Sequence, residues 1–152
     1  MLFRSTPNLN APAVITALRG AAARGVKIEL LLSKGFNDRR EDNRVAGGTN
    51  ASAVERLRAA GVDTSTLEIR HFRNPRAEPD SPVPDGNVIG SSHVKFMAVD
   101  GELAIVGSSN MDKTSWHFSG ETNLALFDPA SARAVQAAVF DPAWRQSEPV
   151  TG

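Results

Sequence analysis

The segment SSHVKFMAVDGELAIVGSSNMD, residues 91–112, contains the pattern that decides the fold. Two mainly apolar runs flank Asp100-Gly101, a dipeptide typical of the tight turn of a β-hairpin. We therefore predict two antiparallel strands, over residues 93–99 and 102–108, that lie side by side in a sheet.

Polar residues that could take part in a chemical reaction lie at the open end of this hairpin. On a strand, His93 and Lys95 would point to the same face because side chains alternate with a period of two. Counting back from the turn places residues 107–110, Gly-Ser-Ser-Asn, beside them. An imidazole, an ammonium group, the Ser108 hydroxyl and the Asn110 carboxamide are therefore expected to converge in one small volume.

This set of groups suits a phosphate. The Lys95 ammonium can neutralise phosphate oxygens, to which the serine and asparagine can donate hydrogen bonds. A histidine can act there as a nucleophile or as an acid–base group near neutral pH. Glu121 opens the next strand and can accept a hydrogen bond from an imidazole N–H. No second acidic cluster is arranged for a metal, so we expect neither a metal nor another cofactor.

Each of these residues also has an ordinary interpretation. A single histidine on a strand usually has a structural role or lies on the protein surface, and a single lysine is usually solvated. Asp100 lies at the opposite end of the hairpin, so we expect it to have a structural role in the turn. Only the combination of His93, Lys95 and the Gly-Ser-x-Asn turn favours a functional site.

The rest of the chain predicts an α/β fold. Residues 2–5 read as a strand, and apolar residues at helical spacing follow from Pro12 to a stop at Arg24-Gly25. The run VKIELLL, residues 26–32, is nearly continuously apolar, which is typical of a central parallel strand. Strand, helix and strand at this spacing predict a βαβ unit.

The remaining segments complete a mixed β-sheet flanked by helices. We predict irregular loops over residues 33–50 and over the proline-rich residues 73–90. We expect residues 1–152 to form one domain. The other predicted elements are a helix over residues 52–60, strands over residues 66–72 and 122–127, and a helix from Pro129 to about Phe140.

Composition narrows the function only slightly. Lysine plus arginine and aspartate plus glutamate number 17 each, so net charge favours neither nucleic acid nor an anionic membrane as partner. The absence of cysteine excludes disulfides, thiolate metal sites and cysteine nucleophiles. The chain has no apolar stretch of transmembrane length and no signal peptide at its start, and it does not predict a cellular compartment.

The spacing of these residues resembles the HKD signature of the phospholipase D superfamily, and most of the chain shares the resemblance. It is closest to the cardiolipin synthase-like branch, whose two-motif chains carry such a unit as their C-terminal half. The matching pattern is His93-x-Lys95-x4-Asp100-x6-Gly107-Ser108-x-Asn110.

The resemblance implies a role for each matched residue. His93 would form a phosphohistidine or protonate the leaving alcohol, while Lys95, Ser108 and Asn110 would hold the phosphate oxygens. Glu121 stands where the family has an acidic partner for a catalytic histidine. The implied reaction is metal-independent phosphodiester hydrolysis or transphosphatidylation, on a phospholipid rather than on DNA.

The family reaction needs two facing motifs, and this chain has one. His71 and His117 do not begin an H-x-K pattern. The strand and helix that usually begin a family unit are also missing, so we expect an N-terminally incomplete unit. Its partner would be a missing N-terminal half or a homodimer mate, and an isolated monomer should be inactive. The alternatives are a dimeric nuclease of the same superfamily, and an inactive half-domain that serves as an interaction module or is a truncated gene product.

Overall fold

The computed structural model describes residues 2–5, 11–33, 50–62, 65–72 and 92–150. Across these ranges, seven strands form one mixed sheet that has helices on both faces, which confirms the predicted α/β class. The strands are β1 (Leu2–Ser5), β2 (Ile28–Ser33), β3 (Leu67–Phe72), β4 (Lys95–Val99), β5 (Leu103–Gly107), β6 (Asn123–Leu126) and β7 (Glu148–Pro149). The helices are α1 (Pro12–Ala23), α2 (Asn50–Ala59), α3 (Lys113–His117), α4 (Pro129–Val139) and α5 (Asp141–Arg145).

The sheet has a parallel part and an antiparallel part. Its strand order is β6-β5-β4-β1-β2-β3-β7. Strands β1, β2 and β3 run parallel, as the predicted βαβ unit requires. Strands β4, β5 and β6 run antiparallel, with β4 against β1, and β7 pairs antiparallel with β3 at the other edge.

The core lies on both faces of β2. Because side chains alternate along a strand, Leu30 and Leu32 pack with α1 and α2, while Leu31 packs on the opposite face. There Leu31 joins Phe96 of β4 and the buried residues of α4 and α5. All three leucines are fully buried, so β2 is the central strand that its apolar run predicts.

The predicted hairpin is present. Asp100 and Gly101 both have positive φ, 54° and 68°, which fits a type I′ turn between antiparallel strands. The register pairs Met97 with Ile105 and Lys95 with Gly107. The start of β4 and the end of β5 therefore lie side by side, as the count from the turn required.

The structure differs from the sequence-based expectations in several details. The first hairpin strand begins at Lys95 and not at His93. Two five-residue helices, α3 and α5, and the short strand β7 were not predicted. Both end residues of the predicted loop 33–50 belong to regular elements, because Ser33 ends β2 and Asn50 begins α2. The rest of both loops lies outside the described residues.

None of the helices in the described part of the chain is long and apolar enough to cross a membrane.

Candidate active site

Three strands end together at the open end of the hairpin. Lys95 begins β4, its partner Gly107 ends β5, and Asn123, which begins β6, pairs with Gly107. The turn that contains Ser108 and Asn110 leaves β5 at this point. The structure therefore brings together the lysine, the hydroxyl and the carboxamide that the sequence analysis expected to converge.

Gly107 allows these strands to approach closely. A Cβ atom at this position would lie 2.5 Å from the backbone oxygen of Thr122 and would overlap the Asn123 side chain. The glycine therefore has a steric role where β5 and β6 meet.

A pocket of about 260 Å³ opens beside this cluster. Polar groups from Lys95, Asn110 and Asn123 form part of its wall. Apolar side chains, including those of Met97, Ile105 and Trp116, form much of the remainder. The site therefore combines a cationic polar part with an adjoining apolar surface.

His93 lies two residues before β4, and its side chain is exposed. The preceding residue, Ser92, is held by a buried hydrogen bond in which the Ser33 hydroxyl donates to its carbonyl oxygen at 2.6 Å. The Asn50 side-chain amide in turn donates to the Ser33 carbonyl oxygen at 2.9 Å. The end of β2 and the start of α2 thus fix the chain that carries His93.

Ser33 and Asn50 have no role in the sequence-based expectations. Both residues are 1% exposed, which is unusual for polar side chains. They mark the two boundaries of the polar segment that follows β2, and α/β sheets commonly place their sites at such strand ends. Their position at this strand end is the sequence feature that could have identified the two residues as part of a site.

Charge and burial tune the two basic groups. Partial burial lowers the pKa of His93, and the charge of Lys95 lowers it further. Burial also lowers the pKa of Lys95, whereas the carboxylates of Glu121 and Asp112 oppose that change. The lysine Nζ donates to the backbone oxygen of His93 at 3.1 Å. The imidazole is therefore biased toward its neutral form, in which one ring nitrogen carries a lone pair instead of a proton.

Glu121 is hydrogen-bonded to Ser108. The Ser108 hydroxyl donates to Glu121 Oε2 at 2.5 Å, and its oxygen accepts the Thr122 N–H at 3.0 Å. The bond from Ser108 is the main cause that lowers the pKa of Glu121. The Ser108 proton is therefore already engaged in this structure. The pairing of Glu121 with a catalytic histidine, implied by the family resemblance, stays a prediction.

Asn110 is held through its backbone by the short helix α3. Its N–H donates to the Ser115 hydroxyl oxygen at 3.1 Å, and its carbonyl oxygen accepts the Trp116 indole N–H at 2.9 Å. The side-chain oxygen of Asn110 is buried and has no hydrogen-bond donor among the described residues. The sequence analysis missed Ser115, although Asp112-x-x-Ser115 is a helix-start pattern that could have shown it.

The other candidates lie away from this cluster. Asp100 is in the hairpin turn, five residues along the strand from Lys95, or roughly 16 Å. His71 lies in β3, opposite Glu148, and His117 is an exposed residue that ends α3. Within the described ranges, no three histidine or acidic side chains are grouped as metal ligands would be.

The comparisons with known sequences agree on one family. A family profile described as "Cardiolipin synthase, PLD-like domain" matches residues 3–144. Cardiolipin synthase A of Pseudomonas fluorescens is 32% identical over 130 residues, which are 85% of this chain and 22% of that protein. A cardiolipin synthase of a Geobacillus species is 30% identical over 124 residues, 82% of this chain and 20% of that protein. The chain thus spans about a fifth of the length of these curated relatives.

Solved structures share the fold at low sequence identity. NucT from Helicobacter pylori has a TM-score of 0.70 and 12% identity, over 98% of this chain and 80% of that one. The phospholipase D family member Nuc from Salmonella typhimurium has a TM-score of 0.65 and 17% identity, over 99% and 80%. Since the family profile covers nearly the whole chain and phospholipase D structures share its fold, this protein belongs to the cardiolipin synthase-like branch of the phospholipase D superfamily.

Proposed function

We propose that this domain carries one of the two motif halves of an enzyme that transfers phosphodiesters of phospholipids through a phosphohistidine intermediate, without a metal. The observation that carries the proposal is the meeting of His93, Lys95 and Asn110 at the open end of the β4–β5 hairpin. Lys95 and Asn110 line the pocket, and His93 lies two residues before Lys95. A nucleophile, a cation and an amide are groups that a phosphoryl transfer needs.

The proposed reaction has two steps. In the first, a neutral imidazole nitrogen of His93 attacks phosphorus, the N–P bond forms, and the P–O bond to the leaving alcohol breaks. A histidine of the second motif gives its proton to the leaving oxygen. In the second step a hydroxyl group attacks phosphorus, returns a proton to that second histidine, and releases His93. Water as acceptor gives hydrolysis, and an alcohol gives transfer.

The side chains around His93 would stabilise the negative charge that grows on the phosphate oxygens. The ammonium group of Lys95 would neutralise that charge from a fixed position beside His93. The Asn110 carboxamide would donate from its NH₂ group to a phosphate oxygen. Ser108, held by Glu121, would fix the turn that carries Asn110.

Three observations support a phospholipid as the substrate class. The sequence relatives are named cardiolipin synthases. The pocket beside Lys95 has apolar walls. The net charge of zero gives the chain no overall electrostatic attraction for DNA.

The second motif would come from another part of a longer chain or from a second copy of this domain. One His93 cannot both attack phosphorus and protonate the leaving oxygen in the same step. The chain spans about a fifth of its curated relatives, which leaves room in those proteins for another such unit.

The test combines sedimentation of the purified chain with turnover assays in EDTA. The substrates are bis(4-nitrophenyl) phosphate and vesicles that contain cardiolipin, with duplex DNA as a competitor. A dimer whose EDTA-resistant turnover is abolished by His93→Ala would support the proposal. Activity that survives His93→Ala, or that EDTA removes, would contradict it. Strong, salt-dependent inhibition by DNA would favour a nuclease instead.

An inactive monomer would leave the phosphate site of this half to be tested directly. Inorganic phosphate would then be titrated into the protein and followed by NMR. The proposal requires the signals of Lys95 and Asn110 to shift, and it fails if they do not.

A further inference from the structure

Ser115 is a buried residue between exposed chain neighbours, and its side chain makes contacts at the site. It is 7% exposed, and its hydroxyl oxygen accepts the Asn110 N–H at 3.1 Å. The pKa of Glu121 is lowered first by Ser108 and then by the Ser115 side chain. Ser115 therefore holds the backbone of the segment that follows β5 and acts on Glu121, two residues before β6.

The position of Ser115 is itself fixed by a helix cap. Asp112 caps α3 and accepts the Ser115 N–H on its side chain at 2.7 Å. The next residue, Trp116, donates its indole N–H to the Asn110 carbonyl oxygen at 2.9 Å. One turn of helix thus holds both backbone polar groups of Asn110.

The start of α4 repeats this cap without the contacts to the site. Asp128 caps α4 and accepts the Ser131 N–H at 2.8 Å, in the same Asp-x-x-Ser pattern. The Ser131 N–H and, less strongly, the Ser131 side chain lower the pKa of their own cap residue, Asp128. The two serines occupy equivalent positions in their helices. They differ in that the Ser115 hydroxyl accepts the N–H of a site residue, Asn110, and the Ser131 hydroxyl does not.

We propose that Ser115 is a positioning residue, whose hydroxyl fixes the backbone of Asn110 so that the Asn110 side chain faces the phosphate beside Lys95. This inference rests on the proposed function, because it assigns Ser115 a role in binding the substrate phosphate. Ser115 itself does not touch that phosphate.

The experiment compares Ser115→Ala with Ser131→Ala in the full chain. Both changes remove one hydroxyl from the third residue of an Asp-capped helix and leave the backbone cap in place. The probe is inorganic phosphate, titrated while the NMR signals of Lys95 and Asn110 are recorded. Because a typical hydrogen bond would be lost, we expect Ser115→Ala to weaken phosphate binding about three- to tenfold. Ser131→Ala should leave it unchanged.

Two further measurements separate positioning from a general loss of structure. In Ser115→Ala, the Asn110 N–H should exchange with solvent faster and the pKa of Glu121 should rise, while the melting temperature stays close to that of Ser131→Ala. If Ser115→Ala fails to fold, Trp116→Phe serves as the second variant, because it removes the indole N–H that Asn110 accepts and keeps an aromatic ring at the pocket wall. It should weaken phosphate binding about twofold to fivefold.

The outcomes distinguish the inference from the proposed function. If the wild-type signals respond to phosphate and Ser115→Ala binds it as tightly as Ser131→Ala does, the positioning role is wrong and the proposed function stands. If phosphate does not shift Lys95 and Asn110 in the wild type, the phosphate site is wrong and the positioning role falls with it.

Discussion

The parallel and antiparallel parts of the sheet have different surroundings. In the parallel part, β2 is covered on both faces, and Leu30, Leu31 and Leu32 are fully buried. In the antiparallel part, the edge strand β6 exposes 59% of Leu124, and the strand ends carry the polar groups of the site. The comparison indicates that the fold gains its stability mainly around β2 and places its chemistry at the ends of β4, β5 and β6. The two properties should therefore respond to different substitutions.

The largest expected effect on chemistry is that of His93→Ala. Loss of the nucleophile should lower turnover by about a thousandfold or more in any assembly that is active. The side chain is exposed, so the free energy of unfolding should change by less than about 0.5 kcal/mol. Steady-state kinetics and urea denaturation measure the two quantities, and His117→Ala, at an exposed histidine, is the control. A large loss of stability in His93→Ala would contradict the view that chemistry and stability depend on different parts of the sheet.

The largest expected effect on stability is that of Leu30→Ala. Removing a fully buried leucine from β2 should lower the free energy of unfolding by about 2–5 kcal/mol. The matched change Leu124→Ala, on the exposed edge strand, should lower it by less than about 1 kcal/mol. Urea denaturation measures the loss of unfolding free energy in each variant. Equal losses for the two leucines would show that stability is shared evenly across the sheet.

Gly107→Ala should disturb both properties, because the end of β5 supports the site. The new Cβ would approach the Thr122 backbone oxygen and the Asn123 side chain, so β5 and β6 would have to separate. We expect a loss of about 1–3 kcal/mol in stability, together with weaker binding of phosphate. Gly120→Ala is the control, since a Cβ there meets nothing within 4 Å. If Gly107→Ala behaves like Gly120→Ala, β5 and β6 can separate without harm to the site.

The smallest change concerns the pKa of His93. Lys95→Met removes a positive charge that lowers this pKa, so the pKa should rise. Below its pKa the imidazole is protonated and cannot attack phosphorus, so the acidic limb of any residual activity should move to higher pH. An NMR titration of the histidine ring protons measures the shift, with Lys27→Met as the control. An unchanged or lower pKa in Lys95→Met would show that the charge of Lys95 does not act on His93.

Local sequence signals predicted much of the fold. Asp100-Gly101 predicted the hairpin because a type I′ turn requires residues that tolerate positive φ. The apolar run around Leu31 predicted a central parallel strand. Helix α3 escaped prediction because five residues are too few to show a helical period.

Tertiary contacts account for what the sequence did not reveal at the site. The strand pattern of residues 93–99 gives no sign that β4 begins only at Lys95. Ser92 is bound instead to Ser33, a residue 59 positions earlier in the chain. Likewise, the spacing placed Ser108 and Asn110 near Lys95 but could not show that the Ser108 proton goes to Glu121. Such pairings depend on side-chain directions that a one-dimensional pattern does not contain.

The bond between Ser33 and Ser92 also has a consequence for the order of folding. The β4–β5 hairpin joins neighbouring residues and can form within microseconds, whereas the Ser33–Ser92 contact closes a loop of 59 residues. The segment that carries His93 should therefore acquire its native position after the hairpin has formed. In a stopped-flow refolding experiment, the first β-sheet circular dichroism, from the hairpin, should precede recovery of phosphate binding.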